Sequence, residues 1–321
     1  MSRSFKDEAK LPPGIAGRQF VDAGLRWATG YLTPLVVAGG WRSDNSGFRE
    51  YGSKAAGEFL LFSWLIWRRK HSYTKEYESV RELRASLASQ LRLLTDGATF
   101  SEEHWQMITC LMDHEELAKR SRDNRPIPDG NSIPIEQAYF LEASGFELPA
   151  TFWDSAARSH LKKAAVSGCS LAEVYQLTHV IYFGTDFGER RFCEEIEPIL
   201  IALVLASIPR AVEIENWDAT AELGLALLCL SSRHYDVALS TITLLKEKQS
   251  SYGWVLSDGN RLPVYEARNS ELTDRESYSL FHTTLVSCYF IAWVTCLHDP
   301  SAQQGAPADR LASASLRQDG G

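Results

Sequence analysis

Hydrophobic residues recur along this chain at intervals of three and four, the period of a helix whose one face meets a core. Ser170 is placed to cap a segment in which Leu171, Val174, Leu177 and Ile181 share a face. Ser101 precedes two acids in the same manner, and Asp236 opens VALSTITLLKEK, which closes in polar residues and Gly253. The pattern predicts helices near 17–35, 52–72, 75–95, 101–119, 133–145, 150–166, 170–187, 193–208, 215–232, 235–248 and 274–297. Alternation of period two is missing. The nearest strand candidate is Gly253-Trp254-Val255-Leu256, bounded by Ser257-Asp258-Gly259. The expected fold class is therefore all-α.

The same pattern sets the domain organisation. Residues 1–14 and 299–321 are polar and small, and are read as disordered tails around a single domain at 15–298. The segments 120–132 and 251–273 are long gaps between helices, of a length that suits a cover over a cavity. The longest apolar stretches, Pro198 to Pro209 and Leu223 to Leu230, fall short of the roughly 18–20 residues that span a bilayer, so no membrane partner is expected.

Composition narrows the function classes. The 321 residues are 45% hydrophobic and 11% aromatic, enough for a sizeable core. With 33 Lys+Arg against 41 Asp+Glu, the net charge of −8 argues against nucleic-acid binding. Cys110, Cys169, Cys193, Cys229, Cys288 and Cys296 form no C-x-x-C pair, and the N-terminus MSRSFKDEAKLPPG has no apolar signal core. The expectation is a cytoplasmic protein with free thiols. No phosphate-cradling glycine loop, dinucleotide fingerprint or G-x-S-x-G elbow occurs.

Near the C-terminal end, Leu244-Leu245-Lys246-Glu247-Lys248-Gln249 is followed by Tyr252-Gly253-Trp254 and, after a loop, by Tyr278-Ser279-Leu280-Phe281-His282-Thr283-Thr284. A helix ending in Gln, a Gly-Trp turn and a new helix resemble the repeat of the α/α-toroid proteins, the squalene-cyclase and protein-prenyltransferase architecture. Gly39-Gly40-Trp41, ahead of Tyr51, is a weaker echo. The resemblance implies inner and outer helices alternating around a central cavity. The D-x-D-D, D-D-x-x-D and zinc motifs of those enzymes have no counterpart here, so it extends to the fold alone. Tyr175-x-Leu177-Thr178-His179, Thr185-Asp186-Phe187-Gly188 and His282-Thr283-Thr284 also resemble an uncharacterised bacterial family with Y-x-L-T-H…T-D-F-G and Y-H-T-T signatures. The likeness covers roughly residues 135–297, with Phe281 in place of the usual Tyr, and implies no activity.

Tyr175, His179 and Phe183 share a helical face, and Asp186 lies two turns beyond His179 between Gly184 and Gly188. His282 near the start of the last helix is the natural partner. The expected catalytic group is His179, Asp186 and His282: His179 acid or base, Asp186 its orienter, His282 the second proton-transfer group. Tyr175, Thr178, Thr283 and Arg190 are the expected substrate-binding residues. The competing reading makes these groups structural, with Asp186 capping a helix or pairing with Arg190 or Arg191. The same histidines and carboxylate also suit a two-His-one-carboxylate metal site. That option ranks second because no H-x-x-x-H or H-x-D pair is present. Glu136, Tyr139 and Glu142 share a face and rank lower. Arg68, Arg69 and Lys70 read as cations at a helix C-terminus, Trp64 and Trp67 as core, and His104 and His114 as lacking a helical repeat.

The function expected from these residues is a biosynthetic tailoring enzyme. It would use acid–base chemistry, without a cofactor, to cyclise, isomerise or eliminate within an apolar or peptidic small molecule. Two alternatives stand beside it: a noncatalytic helical scaffold that binds a peptide or protein partner, and an enzyme that uses the same histidines with a divalent metal.

Overall fold

The computed structural model describes residues 13–37, 54–62, 65, 82, 133–143, 147–167, 170–258 and 274–297. Among them the regular elements are helices: α1 (Pro13–Val37), α2 (Ile135–Ala143), α3 (Phe152–Ser167), α4 (Leu171–Gly184), α5 (Glu197–Glu213), α6 (Trp217–Leu230), α7 (Tyr235–Glu247) and α8 (Asp274–Leu297), with a single 3₁₀ turn at Ser232–His234. Residues 54–62 are also helical. The all-α expectation holds. The expectations on helices 75–95 and 101–119, on Gly39-Gly40-Trp41, on the 120–132 loop and on residues 299–321 lie outside the described residues.

Local chemistry accounts for where the helices begin. Ser170 and Glu173 form a reciprocal capping box at the start of α4, and Asn216 accepts the Ala219 amide at 2.9 Å to open α6. Pro13 opens α1 inside the segment read as a tail, at a position where a missing N–H costs nothing. Two boundaries correct the sequence reading. α5 begins only at Glu197 and runs through Pro209 to Glu213, because the exposed proline interrupts the helix's bonding at one point without ending it. The strand candidate at 253–256 is a loop with an isolated bridge, Gln249 to Val255.

The packing is built around α6. Every residue of this helix except Asp218 is buried. α4, α6 and α8 touch in that order, and α3, α5 and α7 fit against this row. α3 packs on α4, α5 on α4 and α6, and α7 on α6 and α8. α1 packs along α8. Each buried Leu of α6 contributes about 1.5–3 kcal/mol of transfer free energy, so this helix anchors the core.

The Gly-Trp turn ties the two ends of the chain together. Gln249 Nε2 donates to the Phe20 carbonyl of α1 at 2.9 Å and to the Gly253 carbonyl at 3.0 Å. Gly253 has φ 101, and a Cβ there would stand 2.3 Å from the Ala23 carbonyl oxygen, so no side chain fits. Trp254 is buried, and the Val255 amide donates to Thr284 Oγ1 of α8 at 2.8 Å. Among the described residues, no helix is long and apolar enough to cross a membrane.

Candidate functional site

The buried helix α6 carries two acids in its first two turns, Asp218 and Glu222, one helical turn apart and on one face. A carboxylate in an apolar core is costly unless paired, and Glu222, with 1% of its side chain exposed, is paired on several sides. Its Oε1 lies 3.1 Å from His282 Nε2 on α8 and 3.8 Å from His179 Nε2 on α4. Its Oε2 accepts the Thr178 hydroxyl. Its own carbonyl accepts the Tyr182 hydroxyl at 2.5 Å.

Other elements complete a ring of charge. His282 Nδ1 lies 3.0 Å from Glu58 Oε2, and its Nε2 is 3.6 Å from Asp218 Oδ1 and 3.1 Å from the Tyr175 hydroxyl. Glu58 also accepts the Tyr278 hydroxyl, and Lys54 Nζ stands 5.0 Å above the Tyr278 ring. His179 Nδ1 lies 2.9 Å from Glu136 Oε1 on α2. Thr283 Oγ1 is 2.8 Å from Asp218 Oδ1. Glu136 and Asp218 sit in the first turns of their helices, where the positive end of the macrodipole favours a carboxylate. The cluster is closed at Glu222 and open at the other side: 30% of the His179 side chain and 47% of Glu136 are exposed.

The charges hold one another in place. Burial alone would depress His179, but Glu136 and Glu222 outweigh it and raise it to about 9. Burial likewise opposes the charge on His282. Glu58, Asp218 and Glu222 prevail, and its pKa lies well above the ordinary histidine value. Burial would raise Glu222, yet the two histidines bring it well below the usual carboxylate range. Glu58 is held low against its burial by His282, and Glu136 is lowered by its hydrogen bond to His179. Asp218 moves the other way: burial raises it and the His282 charge only partly compensates.

The structure brings His179 and His282 to one carboxylate, together with Tyr175, Thr178 and Thr283. It places Asp186 elsewhere. Asp186 Oδ1 accepts the Tyr139 hydroxyl at 2.8 Å, and the acids that orient the histidines are Glu136, Glu222 and Glu58. Thr185-Asp186-Phe187-Gly188 is the turn that ends α4. Asp186 and Phe187 have φ 49 and 52, Gly188 has φ 87, and the Thr185 hydroxyl donates to Ile181 O at 2.6 Å while accepting the Gly188 amide at 3.1 Å. Phe187 is left-handed at a cost of about 1–2 kcal/mol, offset by burial against Tyr182, Tyr139 and Tyr289. Arg190 is likewise a tie within the fold: it donates to Glu142 at 2.7 Å and to the Phe183 carbonyl at 2.9 Å, 5.4 Å above the Trp153 ring.

Sequence reasoning passed over Glu58, Asp218 and Glu222, and ranked Glu136 low. The signal for Glu222 was present: it is the single acid in the apolar run Ala219 to Leu230. Among the described residues, no group of His, Cys, Asp and Glu has the geometry of a metal cage.

Neither the curated proteins nor the solved structures yield a match. A family model does match, over residues 21–292, a span that includes every residue of the charged cluster. By that match the chain belongs to the family described as Domain of unknown function (DUF6895).

Proposed function

We propose that this chain is a cofactor-independent acid–base enzyme, built as an α/α toroid, in which His179 exchanges a proton with a small-molecule or peptide substrate. One observation carries the reading. Two histidines from different helices flank the same buried oxygen, Glu222 Oε1, at 3.1 and 3.8 Å, and one of them reaches solvent. The alternation of α3, α5 and α7 with α4, α6 and α8, and the Gln249 to Gly253-Trp254 tie, support the toroid.

The two histidines have different parts. His282 is flanked by acids on both nitrogens and is only 15% exposed, so it stays a fixed imidazolium that keeps Glu222 ionised. His179 is the one a substrate can reach. Its Nδ1 is held by Glu136 at the open side and its Nε2 faces Glu222 Oε1 at 3.8 Å, so carboxylates fix the ring at both nitrogens. An imidazolium there gives a ring N–H proton to the substrate, and the neutral ring then takes a proton from a neighbouring carbon. That exchange moves a double bond or expels a leaving group with no net redox change. Tyr175 and Thr178 hold His282 and Glu222 in register.

The test is incubation of the protein in D2O with a panel of small molecules and peptides, read by mass spectrometry. The expected result is a product or deuterium label that falls about 100-fold or more in His179→Gln, the scale of a lost general acid. An identical product pattern from wild type and His179→Gln overturns the proposal.

A further inference from the structure

The four carboxyls of the cluster are not equivalent. Glu136 has the His179 nitrogen at 2.9 Å, Glu58 has His282 at 3.0 Å and Glu222 has it at 3.1 Å. Among the described residues, the cationic nitrogen that approaches Asp218 is His282 Nε2 at 3.6 Å, and its close partner is a neutral hydroxyl, Thr283 Oγ1 at 2.8 Å. That hydroxyl has one hydrogen and a second acceptor, the Ser279 carbonyl at 3.0 Å. When the hydrogen points to Ser279, the oxygen is free to accept a proton from Asp218.

Charge balance asks for such a proton. Among the described residues the cluster brings four carboxyls against His179, His282 and Lys54, one negative charge in excess in a largely buried place. The groups facing Asp218 are Glu222 on its own helix, His282, Thr283 and Tyr278 on α8, Tyr175 on α4, and Glu58. Three of these are neutral hydroxyls and two are carboxylates, leaving His282 as the one cation among the described residues. Glu222 has the firmer claim on that cation, since it lies closer and is more deeply buried.

We propose that Asp218 carries a proton at neutral pH and is the site's donor to an oxygen atom of the substrate. This rests on the acid–base reading above and names a second proton carrier for it. In the step, the Asp218 O–H bond breaks and its electron pair stays on the carboxylate, while the hydrogen forms an O–H bond on a carbonyl, hydroxyl or ether oxygen. The Thr283 hydrogen turns from Ser279 to the new carboxylate, and solvent later restores the proton. The substrate class is therefore an oxygen-bearing molecule whose oxygen leaves or enolises once protonated. Carboxyl pairs whose environments push their protonation apart are the usual source of such an acid.

Infrared and carboxyl NMR spectroscopy of the full chain labelled with ¹³C-aspartate test this directly. The expected result is an un-ionised aspartate signal at pH 7 that disappears in Asp218→Asn and persists in His179→Gln. If Asp218→Asn does not fold, Thr283→Val replaces it: removing the hydroxyl acceptor shifts that signal, whereas a signal from another aspartate does not move. An aspartate spectrum that is fully ionised from pH 5 to 8 overturns the proposal. So does an un-ionised signal unaffected by both variants. The readout needs no substrate, so it fails or succeeds independently of the His179 product assay.

Discussion

The two ends of α4 carry two halves of one sequence signature and use them in different ways. At the amino end, Tyr175, Thr178 and His179 send their side chains to other helices, reaching His282, Glu222 and Glu136. At the carboxyl end, Thr185 to Gly188 spend their polar groups on the chain within five residues, and Asp186 also reaches out, to Tyr139. Threonine, aspartate and histidine look alike as chemistry-bearing letters. What separates the ends is whether the polar atoms close a backbone turn or meet charges from elsewhere.

The largest test of that contrast is Glu222→Leu. It leaves two buried histidines without their shared counter-ion, and equilibrium denaturation is expected to show a loss of about 3–5 kcal/mol. A loss under about 1 kcal/mol would mean that the cluster is not held together by this carboxylate.

A second test uses pH. His179 and His282 have folded pKa values raised above the ordinary 6.5, His179 to about 9. Their contribution to stability is full below 6.5 and is lost as pH rises through 9. Glu222 and Glu58 are lowered, so their contribution is present above 4.5 and fades as pH falls. Thermal melts from pH 5 to 10 are expected to show a plateau between these limits and a fall on the alkaline side. That fall should be absent in His179→Gln if His179 supplies most of it.

The smallest effects belong to the turn. Gly188→Ala forces a side chain into φ 87 and toward the Trp293 ring, where a Cβ would lie 2.9 Å away, with an expected cost of about 1–2 kcal/mol. Asp186→Asn keeps both the tolerance for φ 49 and an acceptor for Tyr139, so its expected stability change is within about 0.5 kcal/mol. The D2O assay should be unchanged as well. A large loss of product in Asp186→Asn would return Asp186 to the chemistry and erase the distinction between the two ends.

Much of the fold was legible from the sequence because helix period and caps are local. Ser170, Asp236 and the run from Asp274 to Leu297 gave helix limits within a few residues of those observed. α5 was misjudged because Pro209 reads as a stop, while its ring lies exposed on a helix that continues. The site was legible only in part. His179, His282, Tyr175, Thr178 and Thr283 stand out by residue type. Their carboxylate partners come from positions 40 or more residues away, and sequence spacing holds no information about such a meeting. Asp186 is the first acid after His179 in sequence, and nearness along the chain made it look like the partner. Glu222 alone could have been found, as a charge where the apolar pattern allows none.

The tie between Gln249 and Phe20 spans 229 residues of sequence, and α1 finds its main packing partner in α8, made last of the described helices. During synthesis at about 5–20 residues per second, α1 waits on the order of 10–50 s before that partner exists. Through that interval Phe20, Val21, Ala28 and Leu32, all buried in the finished protein, lie on a helix whose packing against α8 has yet to form. Contacts this distant also slow the final closure, since the intervening chain must be ordered first. The feature that joins the chain's two ends thus leaves the first helix to complete its packing only when the last has been made.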